Sequence, residues 1–193
     1  MLLKEVAPAP SNPIPLGELA AHLRVSQGFT DDGSEDALLE LYLRNATAIV
    51  EARANKALIT RTYVLQVACW SRRGDLIMPI GPVASVDQIQ LIRPGSTVTM
   101  ASDEWSLEPG STRQRLTGPG GGALRPLPHG ALAELTFTAG YGPSWNDVPD
   151  DLRQAVLLLA AHLYENRDGE LSLDGGMPFG LAPLLQRHQP VRL

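Results

Sequence analysis

The spacing of apolar residues along the chain changes at residue 58 and again at residue 149. Before residue 58 and after residue 149, apolar residues recur every three or four positions, which is the spacing of an amphipathic helix. Between these points they alternate with polar residues, which is the spacing of strands. The pattern predicts an α+β protein with a helical core of two N-terminal helices, one long C-terminal helix and one short C-terminal helix. A β-rich insertion at residues 58–140 lies in the middle.

Four helices are predicted, over residues 16–25, 34–56, 149–166 and 179–187. Acidic residues in the first turns of the second and third helices suit the positive end of the helix dipole, and Pro149 suits a first helical position. The second helix has a predicted apolar stripe of Leu38, Leu41, Tyr42, Ala46, Ile49 and Val50. The third has one of Leu152, Ala155, Val156, Leu159, Ala160 and Leu163.

Short strands are predicted over residues 60–70, 76–80, 86–93, around Trp105, 113–117 and 131–139. In the first strand Tyr63, Leu65, Val67 and Cys69 share one face, so Cys69 is interpreted as a small buried hydrophobe and not as a nucleophile. In the last strand Leu135 and Phe137 alternate with polar residues, which predicts one buried and one solvated face.

The prolines of residues 8–15 indicate an extended N-terminal arm over residues 1–15, followed by one domain over 16–187 and a tail over 188–193. A single cysteine excludes an intramolecular disulfide and any multi-cysteine zinc site, and favours a reducing compartment. The longest apolar run, residues 155–161, is far shorter than the roughly 20 residues that a membrane helix needs. A soluble protein without a targeting signal or membrane partner is expected.

The charged residues, 16 basic and 21 acidic, give a net charge of -5 without a basic stripe, which argues against a protein that grips nucleic acid. The histidines have no paired metal-ligand spacing, and the glycine-rich run 118–122 lacks the lysine and helix of a phosphate loop. Helix dipoles and turns explain the adjacent carboxylates. No catalytic constellation, cofactor or metal is predicted, which favours a protein that works by its surfaces. An enzyme with an unrecognised site in the β-rich middle, or a nucleic-acid-binding regulator, stays open as an alternative.

In their order and spacing, segments over residues 15–187 resemble the head–tail connector, or adaptor, proteins of long-tailed phages and phage-like gene transfer agents. The segments carrying the resemblance include His22-Leu23-Arg24-Val25, Ala57-Leu58-Ile59-Thr60-Arg61-Thr62, Met78-Pro79-Ile80-Gly81-Pro82-Val83, Leu135-Thr136-Phe137-Thr138-Ala139-Gly140-Tyr141-Gly142, Val148-Pro149-Asp150-Asp151-Leu152-Arg153-Gln154-Ala155, His162-Leu163-Tyr164-Glu165-Asn166-Arg167 and Pro178-Phe179-Gly180-Leu181.

The resemblance implies a non-enzymatic ring subunit, in a dodecamer, in the neck of a phage-like particle. It would sit beneath the portal protein, above a tail-side stopper or terminator protein. It would extend the channel through which double-stranded DNA passes without specific binding. Assembly would take place in the host cytoplasm.

Two sets of residues are candidates for function in such a ring. Acidic helix faces would line or flank the channel: Glu35, Asp36, Glu40, Asp150 and Asp151. The locally basic tail would bind the portal: Arg187, His188, Arg192 and Leu193. Ordinary solvated helix faces and loose termini are the alternatives to these two roles.

Overall fold

The computed structural model describes residues 1–6, 14, 16–23, 34–110, 113–166, 178 and 180–189, with the side chains of residues 34 and 35 excepted. The protein is α+β, as predicted. The described residues form the helices α1 (Leu16–His22), α2 (Ser34–Ala54), α3 (Asp150–Glu165) and α4 (Leu181–Gln186). They form the strands β1 (Leu2–Glu5), β2 (Arg61–Val67), β3 (Leu76–Ile77), β4 (Val83–Arg93), β5 (Ser96–Thr99), β6 (Ser106–Glu108), β7 (Arg115–Thr117) and β8 (Leu132–Ala139).

The described residues group into two compact units. A helical unit, residues 14–59 and 141–189, contains α1 to α4, and a sheet unit, residues 1–6 and 60–140, contains all eight strands. The boundaries expected for the arm, the connector domain and the tail stay predictions. Residues 7–13 and 15 of that arm, 24 and 25 of the first predicted helix, and 190–193 of the tail lie outside the described residues.

All four helices contribute to one apolar cluster in the helical unit. The stripe predicted for α3 is confirmed, because Leu152, Ala155, Val156, Leu159 and Ala160 are buried and Leu163 packs against the cluster. The helix begins one residue after Pro149, whose carbonyl accepts from the N–H groups of residues 152 and 153, both at 3.0 Å.

The stripe predicted for α2 is partly wrong. Ala46 and Val50 are buried as expected, but Leu41 and Ile49 are 47% and 37% exposed. The buried face instead runs along Leu39, Leu43, Ala46, Val50 and Ala54. Apolar residues lie on more than one side of α2, so packing against the other helices decided which side was buried. The helix ends at Ala54, and Asn55 just past this C-terminus has the left-handed φ of 53° typical of that position.

The sheet unit contains two antiparallel sheets. The larger has the strand order β1-β2-β8-β4-β5 and the smaller has the order β3-β7-β6. At the centre of the larger sheet Tyr63 pairs with Phe137 and their rings stack at a centroid distance of 5.6 Å. Alternation along β2 and β8 buries one face, as predicted for both strands.

Three features of the sheet unit differ from the sequence analysis. Strand β1 lies within the predicted arm, and β5 follows β4 through a two-residue Pro94-Gly95 turn in which Gly95 has the positive φ of 76°. The prediction of a buried Cys69 is wrong, because its side chain is exposed. Strand β2 ends at Val67, so the alternation that would have buried Cys69 stops two residues before it.

Candidate partner-binding surfaces

Side chains from three separated segments meet beside the first turn of α3, and we call them the Asp151 cluster: Tyr141, Asp151, Arg187 and His188. His188 Nε2 lies 2.8 Å from Asp151 Oδ2, and the Tyr141 hydroxyl lies 3.5 Å from His188 Nδ1. Arg187 Nη1 lies 3.7 Å from the same carboxylate oxygen. One neutral imidazole tautomer, with its proton on Nε2, satisfies both ring contacts of His188.

Burial separates the members of the Asp151 cluster into two kinds. The side chains of His188 and Asp151 are 15% and 19% exposed, whereas that of Arg187 is 82% exposed. Partial burial of the Tyr141 phenol raises its pKa above the usual value, and the negative charge of Asp151 raises it further. The cluster therefore ties the chain after α4 to the start of α3 while leaving the Arg187 guanidinium open to solvent.

The structure thus brings together residues that the sequence analysis placed in different sets. Asp151 was a candidate for lining the channel, and Arg187 and His188 were candidates for binding the portal. The covered, paired carboxylate of Asp151 argues against a lumen-lining role, because such a role requires charge that is exposed to the passing DNA. Arg192 and Leu193 lie outside the described residues.

The neighbouring Asp150 behaves differently from Asp151. Its side chain is 90% exposed and pairs with Arg153 one turn along α3. This hydrogen bond raises the pKa of Arg153 above its usual value. Because the Asp150 carboxylate lies in solvent, the pair contributes little to stability, and Asp150 still presents a carboxylate on the surface of the helix start.

Two carboxylates of the predicted acidic set are described on α2. Asp36 is exposed, and Glu40 forms an i,i+4 pair with Arg44 at 3.0 Å. The side chain of Glu35 lies outside the described residues. The start of α2 therefore carries an acidic patch that is partly balanced by one arginine, and the start of α3 carries a similar arrangement.

One structural element of the helical unit was missed by the sequence analysis. Trp145 begins a short 3-10 helix (Trp145–Asp147), is buried in the apolar cluster, and donates from Nε1 to Glu18 Oε2 at 3.0 Å. Ser144 caps this turn, and the Asp147 carboxylate accepts from the Ser144 N–H in return. The Ser-x-x-Asp spacing, a variant of the capping box, was the signal that could have revealed it.

The remaining candidates for chemistry form no site in the part of the chain that the structure describes. There, no group of three or more His, Cys, Asp or Glu side chains could hold a metal ion. The glycine run folds into a tight loop, in which the Gly118 N–H donates to the Gly122 carbonyl at 2.8 Å. No helix among the described residues is long and apolar enough to cross a membrane.

Chains from solved gene transfer agent (GTA) particles are similar to this protein along its whole length. A chain from the neck of an empty GTA particle, computed with C6 symmetry, is 41% identical and has a TM-score of 0.87. A chain from the virion of a native GTA particle is 42% identical with a TM-score of 0.85. A chain from the neck of a native particle, computed with C12 symmetry, is 38% identical with a TM-score of 0.83. Each match covers 100% of this chain and 97% of the other.

No protein-family model matches the chain. No curated protein matches its sequence either.

Proposed function

Because the chain belongs to the family of gene transfer agent neck proteins, we propose that it is the head–tail adaptor of such a particle. It acts as a ring subunit beneath the portal, joins the DNA-filled head to the tail, and extends the DNA channel. The observation that carries this proposal is the match to neck chains over the whole length of the protein, at 41% identity in one case.

A closed ring of identical copies is supported by the C6 and C12 symmetry of the necks that contain the similar chains. In a ring of this kind each subunit uses two different surfaces, because one surface contacts the preceding subunit and the other contacts the following subunit. We propose a dodecamer that meets the portal on one side and a tail-side stopper or terminator protein on the other. Its location is the particle neck, and assembly takes place in the host cytoplasm.

The charge of the chain suits a channel through which DNA must move without being held. The net charge is -5, so the protein has no excess of Lys and Arg. Such an excess would bind the DNA phosphates by releasing the counterions of the DNA. We assign the carboxylates of Asp36, Glu40 and Asp150 to the lumen or its rim, of which Asp36 and Asp150 are exposed and Glu40 is partly exposed. In this role the protein works by shape and charge and not as an enzyme.

Docking onto the portal is assigned to Arg187 together with residues 190–193. The guanidinium of Arg187 is exposed, and arginine can form paired hydrogen bonds with a carboxylate on a partner protein. His188 is already bound within the protein, so it holds the segment in place and does not itself reach the partner.

The adaptor proposal is tested by removing the gene from a producing strain and imaging the particles by electron microscopy. We expect DNA-filled heads without attached tails, and complementation with a tagged chain should place density for the tag at the neck. Tailed particles of normal appearance without this chain, or a tag located elsewhere, would show that the proposal is wrong.

The lumen assignment is tested separately in complemented particles that carry Asp36→Asn, Glu40→Gln and Asp150→Asn together. Removing the negative charge is expected to slow DNA release several-fold while heads and tails stay joined. The matched control is Asp103→Asn, an exposed carboxylate of the sheet unit. An unchanged release rate would contradict the assignment. So would a ring structure in which these carboxylates lie on the outer surface, away from the channel.

A further inference from the structure

The polar contacts of His188 hold a part of the chain that apolar packing does not reach. Helix α4 has only six residues, and its buried side chains are Leu181 and Leu185. From Gln186 to Gln189, His188 is the only side chain that is not exposed. A helix this short has little stability of its own, so the segment after Leu185 depends on contacts made by His188.

Both ring nitrogens of His188 have a partner, and the partners come from different segments. Asp151 lies in the first turn of α3, and Tyr141 directly follows the sheet unit in the chain. The backbone supports the same geometry, because the His188 N–H donates to the Leu185 carbonyl at 3.0 Å and the Gln189 N–H donates to the Gln186 carbonyl at 3.3 Å. Because the imidazole of His188 is held at both nitrogens, the direction of the backbone at this residue is fixed.

We propose that the Asp151 cluster is a latch, which holds residues 186–189 beside the first turn of α3 and so positions the exposed guanidinium of Arg187 for docking onto the partner ring. This inference rests on the proposed function and adds positioning residues to it. Fixing a segment before binding lowers the entropy cost of ordering it in the complex. His188 and Asp151 would therefore strengthen docking without touching the partner.

The latch is tested with two substitutions at one position in the full-length protein. His188→Leu removes both polar contacts, whereas His188→Gln keeps a side-chain N–H that can reach Asp151. Hydrogen exchange at the amides of residues 188 and 189 reports the closed latch, and co-sedimentation with portal-bearing heads reports docking. The matched control is Glu165→Gln, an exposed carboxylate at the other end of α3.

We expect His188→Leu to speed exchange at these two amides and to weaken docking about tenfold, the equivalent of about 1.4 kcal/mol. The free energy of unfolding should fall, because Asp151 loses a hydrogen bond, but the intact apolar cluster keeps the protein folded. His188→Gln should restore most of the docking, and Glu165→Gln should behave as the unmodified protein. Tyr141→Phe, which removes only the longer contact, should have a smaller effect on exchange and docking than His188→Leu.

A deletion of residues 190–193 separates failure of the latch from failure of the proposed function. If the deletion abolishes docking while His188→Leu docks normally, the latch is wrong and the adaptor role stands. If the deletion and His188→Leu both dock normally, docking depends neither on residues 190–193 nor on the contacts of His188, and the latch proposal is wrong. If the unmodified protein does not bind portal-bearing heads, the adaptor proposal itself is contradicted.

Discussion

The two units of this protein differ because the sheet unit ends in two edge strands. In both units, polar side chains join segments that are far apart in sequence, as in the contacts of Trp145 with Glu18 in the helical unit and of Arg115 with Asp75 in the sheet unit. In the sheet unit, β1 and β5 also stand at the two ends of the strand order, so among the described strands each has a neighbour on one side only.

This difference indicates which kind of contact each unit can offer to another chain. Exposed edge strands are usually protected by lysine, proline or a bulge. The four residues of β5, Ser96 to Thr99, contain no charged residue and no proline, and all four are exposed. The sheet unit therefore offers backbone groups at an edge, whereas the helical unit offers charged side chains such as Arg187.

The largest expected effect comes from truncating the centre of either unit. Phe137→Ala should lower the free energy of unfolding by about 3–5 kcal/mol, and Leu152→Ala by about 2–5 kcal/mol, because both side chains are fully buried. Urea unfolding measures the loss, and hydrogen exchange shows where protection falls first. We expect the sheet unit to lose protection first in Phe137→Ala and the helical unit in Leu152→Ala. The reverse order would contradict the division into two units.

Two tryptophans sharpen the comparison, because each donates one indole N–H in a different setting. Trp145 donates to the partly buried carboxylate of Glu18, whereas Trp70 in the sheet unit donates to the Arg125 carbonyl at 2.8 Å near solvent. Substitution by phenylalanine should cost about 1.5–3 kcal/mol at Trp145 and about 0.5–1.5 kcal/mol at Trp70. Chemical denaturation of both variants tests this, and equal losses would show that the charge of Glu18 adds nothing.

The sheet unit has an acid-sensitive contact at Asp75, which is buried between Ser71 and Arg115. The hydrogen bond from the Ser71 hydroxyl lowers the pKa of Asp75, burial opposes that effect, and the charges of Arg115 and Arg73 lower it further. A lowered pKa in the folded state stabilises the fold above the unfolded-state pKa, and this stability is lost as the pH falls through the folded-state pKa.

Asp75→Asn should therefore reduce the loss of stability on acidification below about pH 4. Unfolding measured from neutral to acid pH checks this, with Asp103→Asn as the exposed control. The same acid dependence with and without Asp75 would show that the contact is not linked to folding.

The smallest effect is expected in the helical unit at alkaline pH. Because the pKa of Tyr141 is raised, its phenol favours the folded state below the unfolded-state pKa, and this stability is lost as the pH rises through the folded-state value. Asp151→Asn should move the Tyr141 titration partway back towards that of an ordinary tyrosine, leaving the shift that burial causes. Ultraviolet difference spectra against Tyr141→Phe isolate this one phenol among the 4 tyrosines. An unmoved titration would contradict the charge contribution of Asp151.

Residues whose pattern was local could be predicted from the sequence. The α3 stripe was correct because Leu152 and Leu163 mark one side at the two ends of the helix, where most neighbouring residues are polar, and the apolar run 155–161 lies between them. On α2 the apolar residues surround much of the helix, and only packing excluded Leu41 and Ile49. Strand β1 was missed because its partner, β2, follows it by about 60 residues and its own four residues do not alternate.

The candidate site was harder to predict than the fold, because it depends on contacts between distant segments. No sequence pattern connects Asp151 with His188, which lie 37 positions apart and were assigned to different surfaces. Asp151 was correctly expected in the first turn of α3, but its carboxylate is bound by the chain itself. For Trp145 the Ser144-x-x-Asp147 spacing was available, whereas its bond to Glu18 could be seen only in the folded protein.

The exposed side chain of Cys69 has a practical consequence. Since the chain has 1 cysteine, a maleimide dye or a gold cluster would attach at a single known position on every copy. In a rotationally symmetric assembly such labels would form a circle of evenly spaced points. Their number and the radius of the circle could be read directly from images of single particles, with no substitution in the protein.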